Sequence, residues 1–309
     1  MAEGDFPGLV LRVAQYALLL GLFGWSAFWL LGLRSVDWLR VDRAPGFALL
    51  TALVAPFVSA ALMLISIAAM MGVPVVELDL PMIEAMILGT DMGFAFLVRS
   101  GLLLTGLAAI LALRNRQAAL VLAAGCYGSA LVTLGWSGHA AATEGGLGLF
   151  HRLNNGIHLI SAGLWLGAIG WFLVLTFQCY KDPDEAKAHA VLKAMHAFAP
   201  MGISLVALVA VTGTVNSHLI FGLPNVAATL ATPYGILLAI KLAFVAAMVA
   251  LGAHHARVSR GAVTAVRHGN VYPAQALAAL RRTLLAEFLL GLLVIGLVAV
   301  FGTMSPTMM

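Results

Sequence analysis

Three histidines, His139, His151 and His158, lie in one short polar stretch of an otherwise apolar chain. Imidazole nitrogen is a ligand for copper, zinc and iron, and it also carries protons near neutral pH. His151 and His158 are seven residues apart, so on a helix they point the same way, about 10.5 Å apart along the axis. Asn155 extends the same polar stripe, and Glu144 adds a carboxylate nearby. This pattern favours a metal or haem site over an isolated structural histidine.

Methionine thioethers and one further histidine form a second group of candidate ligands. Thioether sulfur together with imidazole is the ligand set that suits copper, especially Cu(I), rather than magnesium or calcium. Methionine also fills gaps between membrane helices, so each one alone has a packing interpretation as well. The candidates on the same predicted side of the membrane as the histidine stretch are His218, Met70, Met71, Met82, Met86, Met92, Met304, Met308 and Met309.

The elements that must position these ligands are membrane helices. The chain has 309 residues, of which 62% are hydrophobic and only 10% are charged. A helix needs roughly 20 apolar residues to cross about 30 Å of hydrocarbon, and the apolar runs here are too long and continuous for barrel strands. The sequence therefore predicts an all-α, polytopic membrane helix bundle. Its eight predicted spans are residues 8–33, 46–72, 93–114, 117–137, 151–178, 199–222, 233–256 and 282–303.

Basic residues concentrate in alternate predicted loops and so predict the orientation. The loops after the first, third, fifth and seventh spans contain most of the lysines and arginines, whereas the loop after the second span is acidic. The positive-inside rule places the basic loops in the cytoplasm and both termini outside. The net charge of +4 is then explained without a nucleic-acid partner. Because no P-loop or catalytic triad occurs, we expect neither an ATP-driven pump nor a hydrolase.

Two charged residues lie inside predicted spans, Lys241 in the seventh and Glu287 in the eighth. Charges within a membrane are expensive, so they are expected to pair or to take part in transport. We expect an ion pair between them that fixes helix packing, with a proton relay as the alternative. The spans also suggest two four-helix halves, an N-terminal one at residues 1–137 and a C-terminal one at residues 138–309.

The histidine stretch and several downstream segments resemble CopD, a family of bacterial copper resistance and copper uptake membrane proteins. The likeness covers most of the chain and is strongest in its second half. The segments that carry it are Gly138-His139-Ala140, Glu144-Gly145, His151, Asn155, Ile157-His158-Leu159, Ala162-Gly163-Leu164-Trp165-Leu166-Gly167, Thr212-Gly213-Thr214-Val215-Asn216, Pro233-Tyr234-Gly235-Ile236-Leu237-Leu238 with Lys241, Glu287, and Gly302-Thr303-Met304-Ser305-Pro306.

This resemblance implies a multi-pass protein of the bacterial inner membrane that works in copper homeostasis. With the orientation that the basic loops predict, both termini are then periplasmic. The resemblance also implies copper ligands in the histidine stretch with Asn155 and Trp165 as supporting residues, and a CopC-like periplasmic copper-binding protein as partner. Members often carry a histidine in the first helix where this chain has Gln15, so no ligand is expected there.

Two functions follow from these observations. The first is a membrane protein that binds copper at its periplasmic face through histidine and methionine and transports it across the inner membrane, without enzymatic activity. The alternative rests on a distant similarity of the family to cytochrome b561. In that case the protein binds haem b and transfers electrons, with His158 facing His218 or His139 across the haem. A scaffold subunit without chemistry is a third, weaker interpretation.

Overall fold

The computed structural model describes residues 6–33, 36, 46–267 and 273–306. These residues form ten α-helices and short 3₁₀ turns, with no strand among them. The prediction of an all-α bundle is confirmed. The helices are α1 (Phe6–Gly32), α2 (Gly46–Met71), α3 (Leu80–Gly89), α4 (Asp91–Ala112), α5 (Arg116–Val132), α6 (Gly145–Lys181), α7 (Glu185–Phe221), α8 (Val226–Leu230), α9 (Pro233–Arg267) and α10 (Pro273–Phe301).

Eight of these helices are long and apolar enough to cross a membrane, as predicted. The helices α6 and α7 are longer than predicted, with 37 residues each. At 1.5 Å per residue each is roughly 55 Å long, so both project beyond a hydrocarbon core of about 30 Å. The acidic connection after α2 also contains a short apolar helix, α3. Asp79 caps the start of this helix, and its side chain accepts a hydrogen bond from Met82 N at 2.8 Å.

The centre of the bundle is a close contact between α1 and α6. Small residues let two membrane helices approach until their backbones touch. A Cβ atom placed on Gly24 would lie only 2.8 Å from Gly167 Cα, so a larger side chain does not fit there. Beside this contact, Trp171 Nε1 donates a hydrogen bond to Trp25 O at 3.0 Å. The first helix therefore packs directly on a helix of the second half of the chain, and α6 also contacts α5, α7 and α10.

The bundle has two ends, which we name after the histidines found there. The His139 end holds the segment between α5 and α6 together with the start of α1, the start of α9 and the end of α10. The His255 end holds the basic residues Arg257 and Arg260. The first and last described residues thus lie at the same end of the bundle, as an even number of spans requires. Exposed Leu, Ile, Val and Phe side chains cover the sides of the helices between the ends.

Candidate functional site

His158 lies on α6, and its hydrogen bond to α7 decides which ring nitrogen is free. Its Nδ1 is 2.9 Å from the Thr212 hydroxyl oxygen, and that hydroxyl is 2.5 Å from Leu208 O. A hydroxyl has one proton, and the carbonyl of Leu208 can only accept it. Thr212 must then accept from the His158 Nδ1–H. The other nitrogen, Nε2, keeps a lone pair and can serve as a metal ligand.

His139 is positioned by the end of α10. Its Nε2 lies 3.4 Å from Phe301 O, and its ring packs edge-to-face on Tyr234 with centroids 5.6 Å apart. Because a carbonyl only accepts, Nε2 carries the proton and Nδ1 has the lone pair. Burial lowers the pKa of the His139 imidazole, and the hydrogen bond to the Phe301 carbonyl partly opposes this. The neutral ring, which is the form that binds metal, therefore predominates at neutral pH.

His151 is the most deeply buried of the three, at 1% exposed. Its Nδ1 is 2.9 Å from the hydroxyl of Thr143, a residue that precedes α6. Either group can donate in this pair, so the tautomer of His151 is not fixed by it. The contact ties the short segment that contains His139 to the first turns of α6.

The three histidines line a single cavity of about 190 Å³ at the His139 end. Asn155 and Lys241 line it too, so five of the side chains singled out in the sequence meet there. The polar lining residues that sequence reasoning did not select as site residues are Tyr16, Ser137, Asn216, Ser217 and Tyr234. Asn216 and Tyr234 lie in segments that carry the family resemblance, which was the available signal for them.

A chain of asparagines joins α6 to α7 beside this cavity. Asn154 Nδ2 donates to Thr212 O at 2.9 Å and to Asn216 Oδ1 at 2.7 Å. Asn216 Nδ2 in turn donates to Asn155 Oδ1 at 3.4 Å. The bond from Asn154 holds the backbone of Thr212 in place. The hydroxyl of Thr212 in turn orients the ring of His158. Of the two asparagines on α6, Asn155 lines the cavity, whereas the side chain of Asn154 is directed to α7.

The other candidate ligands lie outside this cavity. Glu144 is exposed and precedes α6, and His218 is exposed and accepts a long hydrogen bond from Leu223 N at 3.4 Å. Met70 and Met71 are exposed at the end of α2, and Met304 packs against the cluster of Phe221, Tyr234 and Phe301. Met308 and Met309 lie outside the described residues. Within the described parts of the chain, no group of three His, Cys, Asp or Glu side chains is close enough to hold a metal ion.

The expected ion pair between Lys241 and Glu287 is wrong. Glu287 Oε2 lies instead 3.1 Å from His255 Nδ1, and Lys241 Nζ lies 5.8 Å from the centroid of the Phe301 ring. Lys241 and His255 are both on α9 but roughly 21 Å apart along it, so they belong to opposite halves of the bundle. The prediction placed Lys241 and Glu287 at the same depth in the membrane, which they do not share.

The His255–Glu287 pair is tied to Thr283 of α10. His255 Nε2 is 2.9 Å from the hydroxyl of Thr283, which donates its own proton to Leu280 O at 2.9 Å. Thr283 therefore accepts from Nε2–H, and Nδ1 is the ring nitrogen that faces Glu287 Oε2. Glu287 is 1% exposed, and its Oε1 has no hydrogen-bond partner among the described residues.

This pair lines a second cavity, of about 460 Å³, at the His255 end. Along α6, Leu166 lines the histidine cavity, whereas its neighbour Trp165 lines the second one. Trp165 therefore does not support the histidine site directly, although it stands at the boundary between the cavities. Leu166 and Met248 both pack at Gly291, where a Cβ atom would lie 3.5 Å from Met248 Cε.

Comparisons with known proteins agree on one family. Residues 2–149 match the family described as copper resistance protein D-like, N-terminal domain, and residues 192–301 match copper resistance protein D. Copper resistance protein D of Pseudomonas syringae pv. tomato is 32% identical, over 98% of both chains. Inner membrane protein YebZ of Escherichia coli is 29% identical over 80% of this chain and 82% of its own.

A third relative is longer than this chain. Copper transport protein CutJ of Bacillus subtilis is 28% identical over 57% of this chain and 29% of its own length. No solved structure matches. The matched families, the relatives and the eight apolar helices together describe a multi-pass protein of the inner membrane. The chain belongs to the copper resistance protein D (CopD) family.

Proposed function

We propose that this protein binds copper ions in the histidine cavity and passes them across the membrane. The observation that carries the proposal is the His158 ring. Its Nδ1–H is used by Thr212, which leaves Nε2 available as a ligand. His139 lines the same cavity, and its lone pair is on Nδ1. These two neutral imidazoles suit a copper ion. His151 lines the cavity too, although the three histidines do not form a three-ligand group in the described part of the chain.

Lys241 in the cavity supports transport rather than storage. A positive charge beside the ligands lowers affinity for a cation. Transport requires binding that is favourable enough to take the ion and weak enough to release it. Since one relative is named a copper transport protein, passage across the membrane is the function we assign to the binding site.

The two cavities supply a short path for the ion. On α9, Lys241 lines the histidine cavity and Val249 lines the second cavity. The two residues are eight positions, or roughly 12 Å, apart along the helix. Met248 lies between these two residues on α9, and its side chain packs with Leu166 at Gly291. In this proposal the thioether of Met248 is the intermediate ligand for Cu(I). The unpartnered Oε1 of Glu287 faces the ion after it has crossed.

The proposal places the His139 end in the periplasm, as the distribution of basic residues predicts. Glu144, His218, Met70 and Met71 lie exposed at that end. They would accept copper from a periplasmic donor of the CopC kind before it enters the cavity. The division into an N-terminal half, 1–137, and a C-terminal half, 138–309, remains part of the proposal, with the histidine cavity built mainly by the second half. We assign no enzymatic activity. None of the matched descriptions names haem.

Copper stoichiometry of the detergent-purified protein tests the binding step. We expect His158→Ala and His151→Ala to lower the copper bound per chain, because each removes a side chain of the cavity. His254→Ala is the matched control, since His254 is exposed at the opposite end of the bundle. Unchanged stoichiometry in both cavity variants would refute the site. A visible spectrum with a Soret band would restore the haem alternative.

A further inference from the structure

Arg99 is a buried charge with no counter-charge among the described side chains. It lies on α4, is 6% exposed, and its Nε has no hydrogen-bond partner within the described residues. Among the described side chains no carboxylate lies within ion-pair distance of it. A buried guanidinium in a membrane protein is expensive unless it is paired, and such charges are commonly functional. The group that pairs with Arg99 must therefore come from outside the described chain.

Arg99 lines a polar cavity of about 370 Å³ at the His139 end. A second guanidinium, that of Arg12 on α1, lines the same cavity, and no carboxylate of the described residues does. Ser59 accepts a hydrogen bond from Gln15 Nε2 at 2.8 Å, which leaves the Ser59 hydroxyl proton available. Tyr16 adds another hydroxyl to the lining. The described lining thus presents two positive charges and hydroxyl donors, but no negative group.

We propose that this cavity binds a small carboxylate anion through Arg99. The two guanidiniums in the lining attract an anion and repel a cation. A planar carboxylate matches the two parallel N–H groups of a guanidinium. The cavity is larger than one water molecule needs, since a water molecule occupies about 30 Å³ in the liquid. The remaining space accommodates the rest of a small organic acid beside Leu62 and Met63.

The anion site shares a wall with the histidine cavity. Tyr16, Ser137, Gly138 and His139 line both cavities. A bound carboxylate would offset the positive charge of Arg12, Arg99 and the nearby Lys241, and so would raise the affinity of the histidine cavity for a cation. This second step rests on the proposed copper function, whereas the anion site itself does not.

Thermal unfolding of the metal-free protein in detergent tests the anion site directly. Sodium acetate is compared with sodium chloride at equal ionic strength. We expect acetate to raise the Tm in a saturable manner, because a ligand that binds only the folded state stabilises it. The shift should vanish in Arg99→Gln and persist in Arg114→Gln, whose exposed arginine lies at the other end of the bundle. Equal effects of the two salts on the wild type would overturn the proposal.

Two further measurements separate the site from folding and from copper binding. Equilibrium dialysis with radiolabelled acetate should give one bound anion per wild-type chain and none for Arg99→Gln. Without acetate, Arg99→Gln should be at least as stable as the wild type, because the variant removes an unpaired buried charge. If that variant still binds acetate, the assignment of Arg99 is wrong. Copper titration with and without acetate then tests the coupling, and acetate binding without any copper binding would defeat the proposed function alone.

Discussion

Thr212→Val is the most direct test of how the histidine cavity works. Valine has nearly the shape of threonine but cannot accept the Nδ1–H of His158, now held at 2.9 Å. The His158 ring then loses its orientation and its fixed tautomer. Removing the outer partner of a ligating histidine lowers metal affinity by roughly 10- to 100-fold, or about 1.4–2.8 kcal/mol. Copper titration of the purified protein against a chelator of known affinity measures this change.

Thr214→Val is the matched control for this experiment. Thr214 lies on the same helix and also donates to the carbonyl four residues earlier, Ala210 O, at 2.9 Å, but its side chain is exposed. Both variants therefore lose the same hydroxyl from α7, and only one loses contact with His158. The hydrogen bond from Asn154 Nδ2 to the backbone carbonyl of Thr212 survives in either case. Equal copper affinity in the two variants, with both folded, would show that the His158 tautomer is not set by Thr212 and that our assignment of Nε2 as ligand is unsound.

Three other predictions follow from the same contacts. Lys241→Leu should raise copper affinity in equilibrium titration, roughly 30-fold for an ion about 8 Å from Lys241, since two unit charges at that distance interact by about 2 kcal/mol at an effective dielectric constant of about 20; no gain would place the ion away from Lys241. Gly24→Leu should lower the Tm by forcing α1 away from Gly167, whereas Gly21→Leu, with no atom within 4 Å of its Cβ position, should not. Because burial lowers the pKa of His139, the unfolded chain binds a proton that the folded chain does not, between that lowered pKa and about 6.5. Stability should fall as the pH falls through this window, and more steeply in the wild type than in His139→Gln.

The membrane spans were predictable from the sequence because each depends only on a continuous apolar run. The shared face of His151, Asn155 and His158 was predictable for a similar reason, since it follows from spacing along one helix. His139 reached the same cavity because the short segment before α6 folds back on α10. The sequence signals for this were its place in the same polar stretch as His151 and His158 and the family resemblance.

Relations between helices were less predictable. Lys241 and Glu287 lie on neighbouring helices, but the sequence does not fix the relative depth of two helices to within one or two turns. The pairing of Glu287 with His255 depends on that depth. The same limit applies to Met70 and Met71, whose side of the bundle follows from topology but whose distance from the histidines does not. Trp165 shows that closeness in sequence can mislead as well. Its neighbour Leu166 lines the histidine cavity, whereas Trp165 lines the second cavity.

The contact between α1 and α6 has a consequence for biogenesis. Gly24 and Gly167 touch in the finished bundle, yet synthesis of the roughly 140 residues between them takes about 7–30 s at about 5–20 residues per second. During that time α1 is already in the bilayer, and its glycine face has no partner from its own chain. The N-terminal helix must therefore be held in the membrane before the helix that completes its packing exists. Assembly of the centre of this protein is a late event that follows insertion of the first five spans.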